Sequence, residues 1–130
     1  MRKMLPILLS ALMFTGCVGT INNQTNTYRQ ISMDEAVNMM VEESGYIILD
    51  VRRPDEFAAG HIPNAINVPN ESIGTAEIPE LPYKNQLIMV YCRSGRRNKE
   101  AAEKLVKLGY TNIVEFGGIL DWKGETVTGQ

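Results

Sequence analysis

The sequence predicts an α/β fold, a parallel sheet with helices on both faces, and three observations carry that prediction. Leu87-Ile88-Met89-Val90-Tyr91 is an unbroken apolar run, the pattern of a strand buried on both faces. Stretches of this kind alternate along the chain with stretches of helical spacing, which builds a parallel sheet rather than a sandwich. Finally, the loop Cys92-Arg93-Ser94-Gly95-Arg96-Arg97 joins that strand directly to a helix, and such junctions are where open α/β sheets place their chemistry.

The elements follow in order. Ser32-Met33-Asp34-Glu35 has the capping-box pattern and opens a helix to about Ser44. Ala36, Met39 and Met40 of that helix face inward, and for Val37 the spacing does not decide. The methionine pair reads as core rather than as a metal site. A strand covers 46–51, a short helix 54–59 and a short strand 65–67. A helix is expected near 70–77, a loop marked by Pro79, Pro82 and Tyr83, and then the strand 87–91. Residues 98–108 place Ala101, Ala102, Leu105, Val106 and Leu108 on one broad face, with Gly109 positioned to end the helix. Asn112 to Phe116 is the last strand and Leu120 to Lys123 a last helical turn. From Tyr28 onward the chain suffices for one core and leaves no room for a second.

The 92–97 loop has a definite chemistry. A thiol at the carboxyl end of a strand, before a helix N-terminus, meets backbone N–H groups and the positive end of the helix dipole. Three guanidiniums add to that field, so Cys92 is expected to ionise readily and act as a nucleophile. A cradle that holds S⁻ would equally hold the outer sulfur of a persulfide. The plainer alternative, an inert buried thiol, sits poorly among charges. His61 is the only histidine and lies in another segment, where a structural role is the expectation.

This loop resembles the active-site loop of the rhodanese-like sulfurtransferases. Leu49-Asp50-Val51-Arg52, Glu56-Phe57, Gly60-His61-Ile62-Pro63 and Ala65-Ile66-Asn67-Val68-Pro69 resemble a second block of that family, and Gly117-Gly118 with Trp122 its closing block. The resemblance spans about 95 residues, Tyr28 to Trp122, in the family's order. It implies a single rhodanese-like domain over 28–125 and no organic cofactor or metal. It also implies a sulfurtransferase that moves a sulfane sulfur from thiosulfate, a persulfide or a polysulfide to a thiophilic acceptor. Cys92 would be the catalytic nucleophile, and Arg93, Ser94, Gly95, Arg96 and Arg97 the loop that binds a small anionic donor.

Asp50 and Arg52 are the candidates for supporting the loop. Asp50 lies near the carboxyl end of its strand, on the edge from which Cys92 emerges, and a carboxylate there needs a partner. Arg97 is the expected one, since an Asp–Arg pair would pin the loop bidentately. Otherwise Asp50 orders only its own turn and Arg52 points to solvent. Two residues depart from the family pattern. Arg96 stands where Asn is frequent and adds charge beside the entering substrate. Asn64 stands where Gly is frequent after His-Ile-Pro, and Asn tolerates a left-handed backbone.

The amino end reads separately. Arg2-Lys3, an apolar run from Met4 to Phe14, and small residues before Cys17 make residues 1–16 a secretory signal, too short to span a membrane comfortably. Phe14-Thr15-Gly16-Cys17 resembles a bacterial lipoprotein box, although Leu is usual where Phe14 stands. Cys17 would then carry lipid, and 17–27 would be a polar tether to an exported, membrane-anchored domain. Val18 follows Cys17, so nothing resembles an inner-membrane retention signal, and the outer membrane is the expected address in a Gram-negative host. Lipid on Cys17 would also leave Cys92 as the sole thiol, which speaks against a dithiol oxidoreductase and a zinc site.

Of 13 basic residues two, Arg2 and Lys3, lie in the signal, so the mature chain is acidic, with 15 Asp and Glu. That balance excludes nucleic acid as a partner. Two other classes stay open: a sulfur-carrier or protein-binding module, and a phosphatase or arsenate reductase on a related loop. The last would want an arginine six residues after its cysteine, where this chain has Asn98.

Overall fold

The computed structural model describes residues 27–130. The signal, Cys17 and nearly all of the tether therefore lie outside the described residues. Five parallel strands form one sheet in the order β1-β5-β4-β2-β3: β1 (Arg29–Gln30), β2 (Ile47–Asp50), β3 (Ile66–Asn67), β4 (Ile88–Cys92) and β5 (Ile113–Gly118). Helices α1 (Met33–Glu42), α2 (Pro54–Ala59) and α3 (Arg97–Lys107) cover it.

Strand alternation divides the core in two. Leu49, Val90, Cys92 and Ile113 face α3, where Ala101, Ala102 and Leu105 meet them. Ile48, Met89, Tyr91, Val114 and Phe116 face the other way, onto Ala36 of α1 and Phe57 of α2. The central strand β4 is buried along its whole length, as its continuous apolar run requires.

Local signals place the helices. The Ser32 hydroxyl accepts from the Glu35 N–H and the Glu35 carboxylate accepts from the Ser32 N–H, both at 3.1 Å, which closes the capping box. Val37 proves to be exposed. Pro54 supplies the first residue of α2, and Asn64 takes the left-handed backbone expected of it, with φ 73°.

Two expectations fail. The helix near 70–77 is only a 3₁₀ turn, Asn70–Ser72. Gly74 is a poor helix former, and Ile73, Ile78 and Leu81 each enter the α3-side core from irregular chain instead. Strand β1 was not foreseen: its two residues are exposed and show no alternation, and they are held by backbone pairing to β5 together with a hydrogen bond from Arg29 Nη2 to Asn112 Oδ1 at 3.2 Å.

Candidate active site

Cys92 ends β4 and α3 begins five residues later, so the thiol lies at the carboxyl edge of the sheet before a helix N-terminus. Its Sγ accepts from the Gly95 N–H at 3.0 Å and donates to Asn98 Oδ1 at 3.2 Å. Gly95 adopts φ 111°, which turns that N–H inward and which few other residues would tolerate. Cys92 is the free cysteine of the described residues, and it is buried.

The carboxyl end of β5 shapes the loop from below. Gly118 pairs with Cys92, and a Cβ at Gly118 would overlap the Arg93 carbonyl and the Ser94 nitrogen. Leu120 N–H donates to the Arg93 carbonyl at 3.2 Å. A backbone this close to the loop admits only glycine.

The expected Asp50–Arg97 pair does not form. Asp50 pairs in register with Tyr91, so its side chain leaves the sheet on the α1–α2 face, opposite to Cys92. There Asp50 is fully buried and receives Arg52 Nη2 at 2.7 Å, Arg52 Nε at 3.0 Å and the Tyr91 hydroxyl at 2.7 Å. The Arg52 N–H also donates to Asp50 Oδ1 at 2.9 Å, so the turn anticipated at Asp50 does form. Arg52, however, is buried rather than in solvent, and its Nη2 reaches the Gly60 carbonyl at 2.6 Å. Burial disfavours the Arg52 charge, but the hydrogen bond and charge of Asp50 outweigh it and raise its pKa. Burial, followed by the Asp50 charge, pushes the Tyr91 hydroxyl far up.

Arg97 is instead clamped by Glu56 of α2, with Nη1 at 2.8 Å from Oε1 and Nη2 at 3.3 Å from Oε2. Glu56 also caps α2 by accepting from the Arg53 N–H at 3.0 Å. The Arg97 hydrogen bond is the main cause holding the Glu56 carboxyl down at about 2, against the opposing effect of burial. The loop is thus pinned as anticipated, but from α2. Glu56 belongs to the family-like block, yet nothing in its spacing revealed this role.

The remaining loop residues are Arg93, Ser94 and Arg96, all exposed. Arg96 pairs with Glu100 at 3.3 Å, one turn on. Arg93, Ser94, Arg96 and Arg97 line an open cleft of about 450 Å³ with Arg53, Glu56 and Glu71. His61 is buried, stacked on Phe57, with Nδ1 2.8 Å from the Phe57 carbonyl, so it serves the packing behind α2.

Two residues escaped the sequence reading as site components. Asn98 is buried and its Nδ2 donates to Glu115 Oε1, which also accepts from the Gly117 N–H at 3.2 Å. A lone acidic residue inside the apolar strand Ile113-Val114-Glu115-Phe116 was the available signal for Glu115. Asn98 occupies the place where an oxyanion clamp would stand, and its amide is committed to Cys92 and Glu115 instead.

With this geometry in place, comparison with known proteins decides the family. A Rhodanese-like domain model matches residues 32–125. The chain belongs to the rhodanese family. It is 36% identical over 73 residues to the thiosulfate sulfurtransferase PspE of Escherichia coli K12, covering 56% of this chain and 70% of that one. A sulfurtransferase of Allochromatium vinosum is 31% identical over 94 residues, 72% of this chain and 86% of its own. Among solved structures, a rhodanese with anions from E. coli superposes with a TM-score of 0.59 at 33% identity, covering 65% of this chain and 99% of that one. A rhodanese-related protein of Thermoplasma volcanium gives a TM-score of 0.64 at 30% identity, over 77% of this chain and 98% of that one. The described residues form one rhodanese-like domain, and this rhodanese is a sulfurtransferase.

Proposed function

We propose that this rhodanese carries a sulfane sulfur on Cys92, taken from thiosulfate or from a persulfide or polysulfide. Thiolate Sγ attacks the outer sulfur of thiosulfate, the donor S–S bond breaks, and sulfite departs with the electron pair. Cys92 then holds Sγ–S⁻. A thiol or another thiophilic acceptor attacks that outer sulfur, and Sγ leaves again as thiolate. The observation that carries this reading is the buried Cys92 thiol, which ends β4 and is held by the Gly95 N–H of a loop whose arginines line an open cleft. The roles follow from position: Cys92 reacts, the Gly95 N–H and the α3 N-terminus stabilise the sulfur anion, and Arg93, Arg96 and Arg97 attract the donor. The solved E. coli relative, described with anions, supports such a site.

Incubation with thiosulfate should add one sulfur, ~32 Da, to Cys92, removable by cyanide or excess thiol. Cys92→Ser should show neither the adduct nor transfer, and full activity in that variant would sink the assignment. Turnover with free small acceptors, against discharge only to one docked protein, separates the enzyme from a dedicated carrier.

The location proposed is outside the cytoplasm, on a bacterial membrane through lipid on Cys17. The support is the sequence alone: Arg2-Lys3, the short apolar run and Phe14-Thr15-Gly16-Cys17. Among the described residues no helix is long and apolar enough to cross a membrane. Cys17→Ala should abolish lipid labelling and membrane retention, and recovery of wild-type protein unlipidated and cut elsewhere would overturn anchoring.

A further inference from the structure

Beneath Cys92 lies a buried polar chain that no step of the transfer uses. Glu115 pairs in register with Val90 and so projects onto the face that carries Cys92. It is 4% exposed, and Asn98 between the two is fully buried. A carboxylate only accepts, so Glu115 Oε1, which already takes the Gly117 N–H, holds the Asn98 amide with its NH₂ toward itself. That leaves Asn98 Oδ1 toward Cys92, where it accepts from Sγ at 3.2 Å.

We infer that Glu115, acting through Asn98, is a positioning residue that disfavours negative charge on Sγ and biases Cys92 toward its sulfur-loaded form. The inference rests on the persulfide reading above. A thiolate Sγ has no proton to donate and meets the lone pairs of Oδ1, with a buried carboxylate behind them. Rotating the amide to offer its NH₂ would only turn Oδ1 against Glu115. In the persulfide the charge sits on the outer sulfur, one S–S bond or about 2 Å beyond Sγ, and so bears less directly on this oxygen. In the exchange Cys92–S⁻ + S₂O₃²⁻ ⇌ Cys92–S–S⁻ + SO₃²⁻, one S–S bond breaks, one forms and the total charge is unchanged. Glu115 opposes the left side more than the right.

Other charges around the thiol do not duplicate this effect. Arg97, in the first turn of α3, feels the Cys92 charge and acts in the opposite sense. Tyr28, ahead of β1, lies within reach of the Glu115 charge and is a neutral phenol at physiological pH. Asp50 of β2 is on the far face, bonded to Arg52 and Tyr91.

The test uses Glu115→Gln in the full chain, which keeps the shape and an accepting oxygen but removes the charge. Intact mass across a series of thiosulfate-to-sulfite ratios gives the ratio at half loading. That ratio should rise about tenfold in the variant, the scale of one nearby like charge. Alkylation of Cys92 by iodoacetamide, followed against pH, should be about tenfold faster than wild type on the acidic side and converge with it at high pH. Looser packing would raise the rate at every pH, which would overturn the electrostatic account. Glu115→Asp should keep wild-type behaviour. Replacing the chain as a unit, Asn98→Leu with Glu115→Leu, should move both readouts the same way as Glu115→Gln and guards against a misfolded single variant. Unchanged half-loading and an unchanged alkylation profile in Glu115→Gln would overturn the inference. Should wild type take no sulfur from thiosulfate, polysulfide or persulfide while the alkylation profiles still differ as stated, the persulfide reading falls and the action of Glu115 on Sγ stands.

Discussion

Glu56→Gln tests how the 92–97 loop is anchored. Glutamine preserves the size of the side chain and can still accept from the Arg53 N–H, so the α2 cap survives while the charge that clamps Arg97 is lost. The Glu56 carboxyl is held at about 2 against an ordinary 4.5. At about 1.4 kcal/mol per unit that sets a ceiling of about 3 kcal/mol. Both side chains keep some solvent contact, 18% and 17%, so about 1–2 kcal/mol is the expected loss after screening. For a domain of this size that is a fall of roughly 5–15 °C in melting temperature at pH 7. The sign follows from the depressed value. The contribution is complete above the unfolded carboxyl's 4.5, shrinks as pH falls, and is lost once pH passes below about 2. Urea titrations of wild type and variant at pH 7, 5 and 3 measure the difference directly, and at pH 3 roughly half or less should remain. Transfer by the folded variant should also fall, because Arg97 opens α3 and its release loosens the loop. Equal stability at pH 7, or a difference that does not shrink toward pH 3, would refute the anchoring argument.

Other expectations follow from the same geometry. Asp50→Ala leaves Arg52 buried without its carboxylate and should cost on the order of 3–5 kcal/mol in urea unfolding. Transfer by its folded fraction should persist, since the loop anchor is Glu56; loss of transfer at unchanged stability would contradict the assignment. Gly118→Ala drives a methyl group into the Arg93 carbonyl and must displace the loop, so sulfur loading should drop at least tenfold, about 1.4 kcal/mol; normal loading would show that the close approach is not needed. Arg93→Gln should raise the KM for thiosulfate several-fold more than Arg96→Gln does, and equal effects would show that the Glu100 pair leaves Arg96 fully active.

Much of this site was legible because strand burial and loop chemistry are local properties. The β4 run, the cysteine that ends it and the helix after it are contiguous, so their order fixes their juxtaposition. The Asp50 partner was not legible, although both candidate arginines were identified. Choosing between them required the parity of β2 against β4: Asp50 opposite Tyr91 sends the carboxylate away from Cys92, and a one-residue shift would have reversed the answer. Asn98 and Glu115 were missed for a related reason. Each is an ordinary polar residue in its own segment, and only the packing of α3 onto β5 brings them together under the thiol. Strand β1 leaves no sequence trace at all, since an exposed two-residue strand needs no particular side chain.

The geometry also changes how the loop's positive charge should be weighed. Composition gives the three arginines equal standing, and the departure at Arg96 suggests a site of unusual charge. In the folded chain Arg97 shares its charge with Glu56 and Arg96 pairs with Glu100. Arg93 has no ion-pair partner among the described residues, and it lines clefts on both sides of the loop. Its carbonyl is fixed by the Leu120 N–H and its backbone lies against Gly118, so its position is set by β5 and the turn after it. Of the three, Arg93 therefore offers an incoming anion the charge least shared with a carboxylate. Arg96, 77% exposed and shared with a carboxylate, contributes little at the sulfur itself. In the proposed transfer, stabilisation of the bound sulfur would then fall chiefly to the Gly95 N–H and the α3 N-terminus, which need no reorganisation as charge moves from donor to Cys92.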